Sequence, residues 1–173
     1  TGRNESTVVA LFSAKLLNTG TSYMKMWMPA SSDVSYFTAL APSAKTASSP
    51  YQSKPSLVVT MRKEKPAVEE PFVVVYEPIS DKLSTGLIES VDRIKLDSLG
   101  KKGCAIKVKT KEGDTFTLVN ILKDGPVILN NQKCCGDFAI FAKRKGKNSV
   151  YVGNGSFVEN KEMALAIHSS IPK

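Results

Sequence analysis

The stretch Pro71-Phe72-Val73-Val74-Val75-Tyr76-Glu77-Pro78 decides the fold class. Its five successive apolar residues are all β-branched or aromatic, which favours a strand over a helix, and a proline on each side limits the run to strand length. A strand apolar on both faces is expected to lie centrally with cover on both sides, which requires stacked sheet layers.

Outward from this stretch, apolar and polar residues alternate with period two, and no convincing helical periodicity appears. Tyr23, Lys25 and Trp27 alternate with Met24, Met26 and Met28. Ile106 and Val108 alternate with Lys107, Lys109 and Lys111, and Phe116 and Leu118 with Thr115 and Thr117. Near the end Met163, Leu165 and Ile167 alternate with Ala164, Ala166 and His168. Each run reads as a half-buried strand. Lys111-Glu112-Gly113-Asp114 is a hairpin candidate because Gly113 is free to take a positive φ. Asp124-Gly125-Pro126, Cys135-Gly136-Asp137, Lys145-Gly146-Lys147 and Gly153-Asn154-Gly155 read as further turns. Residues 42–55, rich in Ser, Ala, Lys and Pro, read as a surface loop inside one domain. The expected architecture is therefore all-β, a stacked antiparallel β-sandwich spanning residues 1–173 as a single domain.

Composition supports a folded chain: 42% of the 173 residues are hydrophobic and 23% charged, outside the range of disordered sequences. No apolar run approaches the roughly 18–20 residues of a membrane helix. The start, Thr1-Gly2-Arg3-Asn4, has no signal-peptide layout, so a mature form or a piece of a longer protein is expected. With 24 basic against 16 acidic residues, the net charge of +8 attracts polyanions.

The residues that carry chemistry in hydrolytic, metal and nucleotide sites are sparse. His168 is the single histidine, so any Ser-His-Asp, Cys-His or His-containing metal site would have to use it. An incidental histidine on a strand is the simpler reading. The five tyrosines, Tyr23, Tyr36, Tyr51, Tyr76 and Tyr151, show no spacing that groups them for proton transfer. Cys104, Cys134 and Cys135 form no Cys-x-x-Cys pattern and read as free thiols. Gly153-Asn154-Gly155 is too short for a dinucleotide fingerprint. No cofactor, no metal and no catalytic residue is expected.

Two constellations suit a polymer ligand. Tyr23 and Trp27 share one strand face with Lys25 between them, an arrangement able to stack a sugar ring, although the run is apolar enough for these rings to fill the core instead. Lys107, Lys109 and Lys111 share another strand face, and Lys143, Arg144 and Lys145 crowd a hairpin, so the two groups would merge into one positive surface for an anionic polysaccharide. Almost no aromatics interleave with these basic residues, which argues against nucleic acid. Lysines also guard exposed sheet edges, which is the plainer explanation of such a face.

The segments Met24-Lys25-Met26-Trp27-Met28-Pro29, Pro71-Phe72-Val73-Val74-Val75-Tyr76-Glu77-Pro78, Ile88-Glu89-Ser90-Val91 and Tyr151-Val152-Gly153-Asn154-Gly155-Ser156-Phe157 resemble the C-terminal β-rich region of heparinase II/III-like polysaccharide lyases. The resemblance covers residues 22–168 and implies a β-sandwich. In that family elimination is carried out by Tyr and His residues of a helical toroid and of an earlier part of the sheet domain. No stretch here matches those motifs, so no catalytic residue carries over. The expectation is an accessory, non-catalytic domain of a periplasmic or secreted polysaccharide-degrading protein, partnered by a helical catalytic domain. The alternative is a stand-alone carbohydrate-binding or adhesion module.

Overall fold

The computed structural model describes residues 2–16, 20–41, 56–64, 66, 71–81, 85–96, 103–121, 126–129 and 131–166. Among them there are thirteen strands and no helix, so the all-β expectation holds. The strands are β1 (Gly2–Asn4), β2 (Val8–Leu16), β3 (Gly20–Met28), β4 (Ser31–Ala41), β5 (Ser56–Lys63), β6 (Val75–Ile79) and β7 (Ile88–Ile94), then β8 (Gly103–Thr110), β9 (Thr115–Ile121), β10 (Val127–Leu129), β11 (Gln132–Arg144), β12 (Lys147–Glu159) and β13 (Ala164–Ala166). They form three antiparallel sheets, ordered β1-β4-β5, β2-β3-β6 and β13-β12-β11-β9-β8-β7, with β10 also paired to β11 in the largest.

The largest sheet is an antiparallel succession in which β7, β8 and β9 pair in chain order, β9 then pairs with β11, and β11, β12 and β13 follow in order. The β8–β9 hairpin closes at the predicted Lys111-Glu112-Gly113-Asp114 turn, where Gly113 has φ +84°. Lys145 (φ +49°) and Gly146 (φ +77°) close the β11–β12 hairpin as the pair of left-handed residues that a two-residue turn needs to match strand twist. Cross-strand pairing places Ala105, Val119, Ala139 and Val152 in one row across four strands, all buried on the first face. Ile106, Leu118 and Ile140 form the neighbouring row on the second face. Strands β8 and β9 are thus covered on both sides.

The first face is closed by the same sheet bending back over it. Gly136 and Gly155 lie opposite each other in β11 and β12, at a register shift that leaves Ser156 as the extra residue of a β-bulge. A Cβ on Gly136 would lie 2.8 Å from the Cα of Gly155, so only glycine permits this approach. Beyond the bulge, Cys134 and Val158, with Val127 and Leu129 of β10, pack against Ala105, Val119 and Ile121. The Cys135-Gly136-Asp137 and Gly153-Asn154-Gly155 segments, read above as turns, are therefore strand interiors: the small residues serve close strand approach rather than chain reversal.

The second face is covered over β7, β8 and β9 by the three-stranded sheet β2-β3-β6. Val73, Val91, Ile106 and Val108 form the buried centre of this interface, with Trp27, Val75, Phe116 and Leu118 packed against it. The 71–78 stretch supplies this stacking, but not as a central strand. Strand β6 begins at Val75 and pairs with β3 alone, at the edge of its sheet, and Tyr76 is 58% exposed. Pro78 explains the placement, since a residue without an N–H is tolerated on an edge and not inside a ladder.

The third sheet, β1-β4-β5, contains the buried ion pair Asp33–Lys63, 3.0 Å apart with side chains 6% and 3% exposed. Ser31 donates its hydroxyl to Asp33. Burial raises the Asp33 carboxyl pKa, but Ser31 and Lys63 outweigh that and hold it below the ordinary value of 3.8. Lys63 also lies 5.8 Å from the centroid of the Phe72 ring, joining this sheet to the segment that leads into β6. The expected 42–55 loop, the Asp124-Gly125 turn, Tyr51 and His168 lie outside the described residues.

Candidate functional site

Strand register decides which of the basic residues stand together. Lys109, Thr115 and Lys143 are paired across β8, β9 and β11, and Lys107, Thr117 and Phe141 form the adjacent row. With strands about 4.8 Å apart, the Lys109 and Lys143 backbones lie about 10 Å from each other on the first face. Lys107 and Lys143 are exposed, while Lys109 is engaged by Glu89 at 3.0 Å in an ion pair open to solvent. Three of the six basic candidates therefore share one surface.

The other three are placed elsewhere. Lys111, beyond the end of β8, donates its ammonium to the carbonyls of Thr85 (2.9 Å) and Gly86 (3.0 Å) and so clasps the segment before β7. Arg144 follows Lys143 and projects to the second face, its Nε 3.7 Å from Asp114 Oδ2. Lys145 sits in the hairpin turn, and its backbone N–H donates to Asp114 Oδ1 at 2.8 Å. Asp114 is thereby buried and held by both neighbours in the turn.

Tyr23, Lys25 and Trp27 do share a face, and it looks toward the seven-stranded sheet. Trp27 packs on the intersheet core and donates its indole N–H to Glu77 Oε2 at 2.9 Å. Lys25 donates to the Thr85 carbonyl at 2.5 Å. Glu77, which no sequence pattern singled out, is the hub: its other oxygen accepts the backbone N–H groups of Leu87 and of Ile88 (2.8 Å). A Cβ at Gly86 (φ +72°) would overlap the Glu77 carboxylate, so this glycine is required on two counts. The Glu of the Val-Tyr-Glu-Pro run thus ties two sheets together. Its signal in the sequence is a lone carboxylate inside an otherwise apolar strand.

A cleft of about 420 Å³ opens between the free edge of β6 and the β8–β9 hairpin. Glu77, Glu112, Asp114 and Arg144 line it together with Leu87 and Phe116. Three carboxylates against one guanidinium make it an acidic cleft, unsuited to an anionic ligand.

Among the described residues no group of three or more His, Cys, Asp or Glu is placed to hold a metal. Cys104, Cys134 and Cys135 are not joined in disulfides. Burial pushes the Cys104 thiol pKa up against a smaller opposing pull from Arg93, which leaves it a poorer nucleophile than a free cysteine.

No protein-family profile matches this chain, and no solved structure matches it. The chain is 41% identical over 56 residues to an endo-acting ulvan lyase of Formosa agariphila. The likeness is to a polysaccharide lyase. It takes in 32% of this chain and 7% of the length of that protein.

Proposed function

We propose that this chain is a non-catalytic β-sandwich module of a periplasmic or secreted lyase-like protein that degrades polysaccharide, of the heparinase II/III-like kind. In this reading it forms one domain, supports a helical catalytic domain of the parent protein, and draws anionic glycan to the face carrying Lys107, Lys109 and Lys143. The observation that carries the reading is the 56-residue likeness to an ulvan lyase. The shared lysine surface and the net charge of +8 supply an electrostatic attraction to an acidic polymer, screened beyond about 8 Å at physiological salt.

The full chain is titrated with ulvan at increasing salt while absorbance is followed for unsaturated uronate. Binding that weakens steeply with salt is expected, with no absorbance rise. Replacing Lys107, Lys109 and Lys143 together by Ala should weaken it about tenfold, since solvent-open charges contribute roughly 0.5 kcal/mol each. Turnover by the isolated chain would end the accessory reading. Binding that is absent, indifferent to salt or unchanged in the triple variant would remove the lysine face from it.

A further inference from the structure

The three-stranded sheet covers only part of the second face of the large sheet, and what it leaves open is built differently from the lysine face. Phe138 on β11 and Tyr151 on β12 are diagonal neighbours there, because Phe138 pairs with Gly153 and Ile140 with Tyr151. Their ring centroids are 5.5 Å apart and the planes are inclined by 38°. They are 38% and 53% exposed, a wide opening for two large rings in contact.

The pair is held in place by the backbone beneath it. Gly153 is buried opposite Phe138, and a Cβ there would lie 2.0 Å from Phe138 Cε1, so the ring rests on bare main chain. Asn120 pairs with Phe138 on the β9 side, and Ser149 stands two residues before Tyr151 on the same face; both are exposed. Leu118, Ile140 and Ala142 fill the rows between. No residue in this set carries a charge, in a protein of net charge +8. Exposed aromatic faces flanked by neutral amide and hydroxyl groups match the apolar face and hydroxyl rim of an uncharged sugar ring.

We propose that Phe138 and Tyr151 form a stacking platform for an uncharged pyranose ring of a glycan chain, with Asn120 and Ser149 hydrogen-bonding its hydroxyls. The proposal rests on the reading of this chain as a polysaccharide-directed module, but it assigns a different surface and a different part of the polymer. The lysine face attracts charge, and this platform grips rings without it.

The test is an NMR titration of the full 173-residue chain with xylohexaose and cellohexaose as uncharged probes and ulvan oligosaccharides as charged ones, at low and at high salt. At least one probe should shift the Phe138 and Tyr151 ring resonances, with an affinity that barely changes with salt. Tyr151→Ala should weaken that binding by about tenfold, the effect of losing one aromatic contact. Gly153→Ala should do the same by displacing Phe138, and Phe138→Ala checks this if the glycine variant folds poorly. The Trp27 resonance, inside the intersheet core, reports whether each variant is folded.

If no probe moves the ring resonances, or if Tyr151→Ala and Phe138→Ala leave binding intact, the platform is refuted. Binding lost in the Lys107, Lys109 and Lys143 variant but kept in the aromatic variants would refute the platform and leave the lysine reading standing. Absence of any glycan binding would remove both. Aromatic variants that bind glycan normally but lose association with a parent catalytic domain would show a protein interface instead.

Discussion

Of the three buried carboxylates among the described residues, Asp33 and Glu77 are satisfied in opposite ways. Asp33 faces an ammonium: Lys63 is 3.0 Å away and almost as buried as the acid itself. Glu77 accepts only neutral donors, the Trp27 indole and the N–H groups of Leu87 and Ile88. The first arrangement cancels charge within one sheet. The second spreads charge over dipoles that come from two sheets and the segment between them. A buried pair is unforgiving of losing one partner, because the survivor is left charged in a low-dielectric interior. A carboxylate held by three neutral donors loses stabilisation in smaller steps.

Lys63→Met should have the largest effect, about 3–5 kcal/mol of lost stability in denaturant titrations, the cost of an uncompensated buried carboxylate. A loss below about 1 kcal/mol would mean that Asp33 finds another partner or takes up a proton, and the contrast with Glu77 would fail. Glu77→Gln keeps the shape but turns one acceptor into a donor facing N–H groups, so a loss of about 1–3 kcal/mol is expected. It should be accompanied by changed Trp27 fluorescence, because the indole loses its charged acceptor.

The smallest expected signal, a change in the slope of stability with pH, sharpens the comparison. It is read apart from the overall loss that Asp33→Asn shares with Lys63→Met by breaking the same buried pair. Because the folded-state pKa of Asp33 is lowered, its contribution is fully present above the unfolded value of 3.8 and is lost as pH falls through the lowered one. Asp33→Asn should therefore flatten the acid limb of the stability profile below about pH 4. An unchanged acid limb would assign acid sensitivity to other groups.

Strands were legible in the sequence where local pattern and pairing agree. Ile106 and Val108, alternating with lysines, and Gly113 in its hairpin carry their structure in a few adjacent residues. Features that depend on distant partners were not legible. Gly136 and Gly153 look like turn residues until their cross-strand neighbours are known. Asp33 and Lys63 are thirty positions apart, and nothing local marks either as buried. The central placement expected of Phe72–Tyr76 failed because an apolar run cannot tell cover by a neighbouring strand from cover by a stacked sheet. Pro78 already held the answer. Of the polymer-binding candidates, Lys107 and Lys109 were grouped by alternation along one strand, whereas Lys143 joins them only through cross-strand register. Arg144 parts from Lys143 by alternation, and Lys111 is drawn off by its contacts with the Thr85 and Gly86 carbonyls.

The facing glycines Gly136 and Gly155 also bear on how the molecule would yield to force. They divide a hairpin of two thirteen-residue strands into two segments that belong to different layers. A tear started at the Lys145-Gly146 tip would peel the first segment away from β9 and halt at the glycines. The second segment is held by β10 and β13 along another direction, so the hairpin would rupture in two stages and the inner layer would outlast the outer one.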